Sequence, residues 1–164
     1  MKSVYFLFFI LLSLAIASSC QYPSENVSGK DQPDIDQLKQ EVLDMFTLSM
    51  ELFRNKDLDG LVNRFTGEGV IKIPRTPLIA GHEALRKYYT NTLQLENFDL
   101  DLRVTKVEVS TEGDMAYALA DFEVSFETPM GPFLDKGNTL MVLKRADMNW
   151  KIAAEYLSSG GGAE

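Results

Sequence analysis

In the first half of the chain, after the first 33 residues, apolar side chains recur at three- and four-residue steps, the spacing of helices with one buried face. The predicted helices run over residues 34–55, over residues 58–65 and from His82 through Leu93. Asp34 and Asp36 are suited to cap the first helix, and Gly67 and Gly69 are expected to end the second. A short strand over residues 70–74 should separate the second helix from the third.

From Phe98 onward the apolar period changes from helical spacing to alternation, which is typical of strands. The predicted strands cover residues 99–110, 115–128, 138–145 and 150–157. In the first of them the alternation slips by one residue between Val104 and Val107, which indicates a β-bulge and a bent strand. Three helices followed by a bent antiparallel meander predict an α+β fold, with three N-terminal helices packed on a strongly curved antiparallel sheet. Such a sheet would leave a cone with an open mouth.

The N-terminal segment has the pattern of an export signal. Lys2 precedes an apolar run from Val4 to Ala17, which is too short to span a bilayer. Ala17-Ser18-Ser19-Cys20 resembles a bacterial lipobox, in which signal removal leaves a lipidated cysteine as the new N-terminus. We therefore expect lipidation of Cys20 and a membrane-anchored lipoprotein of the cell envelope. Cleavage after Ala15-Ile16-Ala17 is the alternative, and it would give a secreted protein with a free thiol at Cys20.

The same features predict the organisation of the chain. Residues 1–19 are assigned to the signal peptide, residues 20–33 to a flexible polar tether, residues 34–158 to one folded domain and residues 159–164 to a disordered tail. Cys20 is the only cysteine, so no disulfide can form within the chain and burial of apolar side chains must hold the domain together.

The composition excludes several classes of function. The chain carries 16 Lys and Arg against 24 Asp and Glu, a net charge of −8, which argues against nucleic acid and against electrostatic adhesion to anionic lipid. Membrane attachment would therefore depend on Cys20. His82 is the only histidine, and no Gly-rich phosphate-binding loop is present. We expect neither a metal site nor a cofactor.

Several polar and aromatic side chains are candidates for a site. Asp121 and Glu123 lie two residues apart and therefore share one face of the strand 115–128. If that face lines the cone, their proximity would raise one carboxyl pKa, as acid–base catalysis requires. If it faces solvent or a dimer interface, they form a solvated edge of the sheet. Tyr88 and Tyr89 are candidates to donate a phenolic proton to a ligand. The further candidates for ligand contact are Met115, Tyr117 and Trp150.

Five short motifs occur in an order that resembles a known family. They are Asp57-Leu58-Asp59-Gly60-Leu61, Gly69-Val70-Ile71-Lys72-Ile73-Pro74, Gly81-His82-Glu83-Ala84-Leu85, Gly113-Asp114-Met115-Ala116-Tyr117 and Trp150-Lys151-Ile152-Ala153-Ala154-Glu155. Together they resemble the SnoaL-like, ketosteroid isomerase-like branch of the nuclear transport factor 2-like superfamily. The resemblance spans residues 34–158 and implies a cone-shaped fold, a mostly apolar pocket and a homodimer formed through the sheet. It does not define a function, because this fold hosts many activities.

The resemblance also allows a test of catalytic positions. Ketosteroid isomerases keep a general-base aspartate just before a proline on the first strand, and Ile73 stands at that place before Pro74. A hydrocarbon cannot accept a proton, so that chemistry is not expected at this position. SnoaL-type cyclases commonly carry an acidic residue five positions after the tryptophan of the last strand. Here that residue is Glu155, after Trp150, and it is either a pocket acid or an exposed rim carboxylate.

Three functions remain open from the sequence. The leading one is an exported, lipid-anchored domain that binds a small apolar molecule in its cone. The second is an isomerase, dehydratase or cyclase that uses Glu155 or the pair Asp121 and Glu123 as a pocket carboxylate. The third is a dimeric interaction module at the cell envelope. The sequence does not decide whether the protein is an enzyme.

Overall fold

The computed structural model describes residues 33–160, which form three helices and six strands. The helices are α1 (Ile35–Arg54), α2 (Leu58–Asn63) and α3 (Gly81–Thr92). The strands are β1 (Phe65–Lys72), β2 (Ile79–Ala80), β3 (Asp99–Val109), β4 (Met115–Thr128), β5 (Gly131–Ala146) and β6 (Asn149–Ser159). The predictions on the leader, Cys20 and the tether lie outside the described residues, as does the end of the tail. Among the described residues, no helix is both long and apolar enough to cross a membrane.

The six strands form one curved sheet in the order β2-β1-β6-β5-β4-β3. The strands β3 to β6 make an antiparallel meander, as the alternating pattern predicts. At the other edge β1 pairs parallel with β6, a pairing that the sequence pattern does not reveal. α1 packs on β3, while α3 packs on β1 and β2, so the helices cover one face of the sheet. The predicted α+β architecture with helices on a curved sheet is confirmed.

The start and the buried face of α1 follow from its sequence. The Asp34 side chain accepts a hydrogen bond from the Gln37 backbone N–H at 3.0 Å, which satisfies one of the free donors at the helix start. The apolar stripe of α1 then places Leu38, Val42 and Phe46 at four-residue steps in the core. α1 is therefore held by its cap at one end and by burial along one face.

The sheet bends where its register is interrupted. The pairing of β3 with β4 shifts between Val104 and Lys106, which leaves Thr105 as an extra residue and confirms the predicted bulge. A second shift lies between β5 and β6 at Val142 and Leu143. Because a bulge increases the local twist and bends the strand, these two shifts help to curl the sheet around its helices.

Gly67 and Gly69 lie inside β1, so the prediction that they end the second helix is wrong. α2 instead ends at Asn63, and β1 begins at Phe65. Gly69 is needed for close packing: a Cβ there would lie 2.8 Å from the Phe65 Cβ and 2.9 Å from the Ile152 backbone oxygen. Glycine is a common helix-ending signal, but at Gly69 it is required by the close approach of β1 to β6.

The side chains on the inward face of β4 become larger along the strand. Its first three inward residues, Ala116, Ala118 and Ala120, are small and buried, and they belong to the core cluster that contains the buried side chains of α1. Beyond them the inward residues are large, namely Phe122, Val124 and Phe126, and they line a cavity. One end of the cone is thus filled by α1, and the other end is open.

Candidate functional site

The open end of the cone contains a cavity of about 330 Å³. Alternate residues of each meander strand point into it, as the two-residue period of a strand requires, and α1 and α3 close its other side. Its apolar lining comes from Phe53, Ile71, Ile73, Pro74, Leu95, Phe98, Leu100, Leu102, Phe122, Val124, Phe126, Phe133, Met141 and Leu157. A mostly apolar concave site of this size, with few polar groups, is typical of small-molecule pockets.

Glu155 is the buried carboxyl group of this cavity. It lies on β6 between Ile71 of β1 and Met141 of β5, and only 9% of its surface is exposed. Its one side-chain hydrogen bond comes from the Thr139 hydroxyl, at 3.3 Å. Burial raises the pKa of Glu155 above its ordinary value, while the charge of Arg64 and the hydrogen bond from Thr139 act in the opposite direction. The structure thus places this candidate in the cavity and not on an exposed rim.

Tyr88 and Tyr89 of α3 also line the cavity. Burial, and next the charge of Glu155, raise the pKa of Tyr88 to about 12. The same two causes raise the pKa of Tyr89 well above its ordinary value. Both phenols therefore keep their protons at neutral pH and are able to donate hydrogen bonds to a bound molecule.

Arg64 is the cavity residue that sequence reasoning missed. It follows α2 directly, is 8% exposed and lines the cavity. Its backbone oxygen accepts a hydrogen bond from the Ile152 N–H of β6 at 2.8 Å, which fixes the arginine beside the strand that carries Glu155. The available signal was a lone charged residue between the apolar positions Val62 and Phe65.

Asp121 and Glu123 lie outside the cavity. They occupy the outer face of β4, the face opposite to Phe122 and Val124. Asp121 is bonded to Arg103 of β3 and accepts a hydrogen bond from the Asn138 amide at 2.7 Å, and Glu123 pairs with Lys136 at 2.6 Å. The structure therefore corresponds to the second of the two alternatives left open, a solvated edge of polar pairs.

Met115, Tyr117 and Trp150 do not line the cone cavity either. Met115 and Tyr117 share the outer face of β4 with Asp121, and the ammonium group of Lys106 lies 5.5 Å from the centre of the Tyr117 ring. Trp150 is buried, but its indole N–H donates to Glu41 of α1 at 3.2 Å, in a separate groove. Its hydrogen bond to α1 directs the indole away from the cone.

The position before the proline of the first strand does face the cavity, since both Ile73 and Pro74 line it. The pocket therefore has a hydrocarbon where ketosteroid isomerases keep their base, and Glu155 is the buried acid on its wall. Within residues 33–160 there is no group of three or more His, Cys, Asp or Glu side chains arranged to hold a metal ion. The polar groups that line the cavity are the carboxyl groups of Asp135 and Glu155, two phenols, one guanidinium and the hydroxyls of Thr92 and Thr139.

The profile of the SnoaL-like domain family matches residues 42–160. This range includes the whole meander and every polar cavity residue described above. The chain belongs to the SnoaL-like domain family. The comparison with curated proteins gave no match.

Several solved structures have a similar fold. A ketosteroid isomerase-like protein from Erwinia carotovora atroseptica is 18% identical, with a TM-score of 0.63 over 76% of this chain and 95% of that one. An NTF2-like family member from Streptomyces avermitilis is 17% identical, with a TM-score of 0.62 over 76% and 97%. A type 2 hexachlorocyclohexane dehydrochlorinase (LinA) is 12% identical, with a TM-score of 0.63 over 76% and 86%. At these identities the likeness establishes the shared fold alone.

Proposed function

We propose that this protein is an exported, lipid-anchored SnoaL-like domain that binds a small apolar molecule in its cone. The observation that carries the proposal is the cavity of about 330 Å³, whose lining is dominated by aliphatic and aromatic side chains. Removing apolar surface from water contributes about 25 cal/mol per Å² that is buried, so a ligand filling this cavity is held mainly by its apolar body. The few polar groups would then set its orientation.

Ligand binding is tested by a thermal-shift screen of hydrophobic metabolites with the purified domain. A ligand that binds only the native state raises the Tm, by an amount that grows with its concentration above Kd. A matched pair of variants on β4 shows where it binds: Val124→Trp fills the cavity from the inner face, and Met115→Trp adds the same ring to the outer face. We expect the first variant to lose the shift and the second to keep it. A panel in which no compound raises the Tm would count against the proposal.

Lipid anchoring is tested in cells. Incorporation of an alkyne fatty acid into the wild type, and its loss in Cys20→Ser but not in Ser19→Ala, would support the anchor. A mature protein that starts at Ser18 and carries no lipid would point to secretion instead.

A second candidate function, catalysis, is favoured by Glu155. A buried carboxyl group with a raised pKa beside two protonated phenols is a suitable general acid or base for an isomerase, dehydratase or cyclase. The dehydrochlorinase of similar fold acts on hexachlorocyclohexane, as its name states, which shows that the fold admits elimination chemistry. In a turnover screen of cyclic substrates, Glu155→Gln should abolish any activity found, whereas Glu123→Gln, on the outer face, should not. Equal activity in Glu155→Gln and the wild type would exclude this role.

A third candidate, a homodimeric module, is favoured by an apolar row on the outer face. Leu119, Leu140 and Tyr156 are neighbours across β4, β5 and β6, and they are 37%, 38% and 50% exposed. Light scattering after size exclusion should give twice the mass of the monomer, and Leu140→Lys should restore the monomer. A wild type that remains monomeric at high concentration would contradict the dimer.

A further inference from the structure

The cavity has a polarity that the proposed function leaves unexplained. Apart from Asp135, its polar groups are Arg64, Tyr88, Tyr89, Thr92, Thr139 and Glu155. A pocket for a purely apolar molecule has no need of a buried guanidinium, since burial of a charge without a partner is strongly unfavourable.

We propose that the cone selects amphipathic monocarboxylic acids, whose carboxylate pairs with Arg64 while the hydrocarbon body lies against the apolar lining. This inference rests on the proposed function and names the class of ligand that the same cavity takes.

One side-chain nitrogen of Arg64 has no hydrogen-bond partner in the described part of the chain. Its Nε is buried and makes no hydrogen bond, and no carboxylate lies within 4.0 Å of its guanidinium among residues 33–160. Arg64 lines the cone cavity and also the groove beside Trp150, and its charge acts on both Glu155 and Tyr89 of the cone. A buried guanidinium without an anion is a site that an incoming anion would complete.

No carboxylate of the described residues forms an ion pair with Arg64. Burial raises the pKa of Glu155 above its ordinary value, which makes its charged form less favourable than that of an exposed carboxyl group. Tyr88 and Tyr89 keep their protons and are also donors. Asp135 is the remaining acid of the lining, and it accepts a hydrogen bond from the Ser159 hydroxyl at 2.8 Å. The cavity thus offers the phenol donors of Tyr88 and Tyr89 besides the guanidinium, and recognition of a carboxylate requires such donors.

The chemistry of arginine selects the head group. A guanidinium is planar, and its forked N–H groups match the two oxygens of a carboxylate, which makes such pairs shorter and stronger than neutral hydrogen bonds. Among the described residues, no second lysine, arginine or histidine lines the cavity to pair with a second carboxylate. One carboxylate on a hydrocarbon body therefore fits the cavity better than a dicarboxylate or a sugar.

The test compares decanoic acid with decanol, which has the same chain and a neutral head, by isothermal titration at neutral pH. The wild type should bind the acid more tightly by about tenfold to a hundredfold, the range expected for hydrogen bonds to a charged partner. Arg64→Met should remove this preference while it retains decanol binding, which also shows that the variant is folded. Arg103→Met, an exposed arginine on the outer face, is the control and should behave as the wild type. If Arg64→Met does not fold, Arg64→Lys replaces it. The lysine keeps the positive charge but lacks the planar pair of N–H donors, so this variant should bind the acid less tightly than the wild type.

The outcomes distinguish failure of the carboxylate assignment from failure of the proposed binding function. Equal affinity of the wild type for acid and alcohol, or an unchanged preference in Arg64→Met, would overturn the carboxylate assignment and leave apolar binding intact. Binding of neither compound to the wild type would contradict the proposed function itself.

Discussion

Replacement of Glu155 by glutamine should make the domain more stable at neutral pH and should remove one component of its pH dependence. The amide has the shape of the carboxyl group and still accepts the hydrogen bond from the Thr139 hydroxyl, so the substitution changes the charge and little else. Because burial is the largest cause of the raised pKa of Glu155, ionisation in the native state is less favourable than in the unfolded chain.

The direction and slope of the effect follow from proton linkage. In the unfolded chain the carboxyl group titrates near its ordinary pKa of 4.5, whereas the native state holds the proton to a higher pH. Between these two values the native state binds more protons, so the free energy of unfolding falls as pH rises, by about 1.4 kcal/mol per pH unit for one group. Below pH 4.5 the wild type and Glu155→Gln should be equally stable. Above pH 4.5 the stability advantage of Glu155→Gln over the wild type should grow with pH, until the pH passes the native-state pKa of Glu155.

The measurement is urea unfolding of both proteins from pH 4 to pH 8, analysed as the difference between them. Subtraction removes the contribution of the other acidic residues, which are common to both. Glu123→Gln is the control: it loses an exposed ion pair with Lys136, worth at most about 1 kcal/mol, and should be slightly less stable than the wild type. A difference between the wild type and Glu155→Gln that does not vary with pH would refute the assignment of Glu155 as a buried acid with a raised pKa.

Other substitutions test the fold that holds the site, each by urea unfolding. Gly69→Ala should destabilise the domain by about 1–3 kcal/mol because its Cβ would lie within 3 Å of β6, whereas Gly67→Ala, which meets nothing within 4 Å, should be close to neutral; equal effects would contradict the packing of β1 on β6. Asp34→Ala should lower the free energy of unfolding by about 1 kcal/mol through loss of the α1 cap, and Asp36→Ala by only a few tenths; the reverse order would place the helix start elsewhere. Leu85→Ala, at a fully buried position of α3, should be destabilising by about 2–5 kcal/mol, and a smaller loss would show that α3 packs loosely.

The local elements could be predicted from the sequence where a single physical rule decides. The start of α1 follows from its aspartate cap, and the bounds of β4 follow from alternation between two turns. The bulge at Thr105 follows from the slip in that alternation. These features depend on residues close together in the chain, so a one-dimensional pattern contains them.

Features that depend on distant partners could not be predicted. β5 begins at Gly131, seven residues before the predicted start. Its pairing with β4 continues through Gly131 and Pro132, although glycine and proline favour a turn. Alternation alone also leaves open which face of β4 lines the cone, because both faces carry apolar residues and the inward one is decided by tertiary packing. Because the inward face depends on tertiary packing, the sequence could not show that Glu155 lines the cavity and Asp121 does not. For the same reason it did not reveal Arg64 as a cavity residue.

The central claim is that the cone of this SnoaL-like domain binds an apolar small molecule, and it is tested most directly by titration of decanoic acid into the wild type and into Val124→Trp. The account predicts saturable binding at one site per chain in the wild type and its loss when the cavity is filled, with Met115→Trp binding as the wild type does. Binding that survives in Val124→Trp, or that is lost in Met115→Trp, would place the ligand outside the cone and contradict the account.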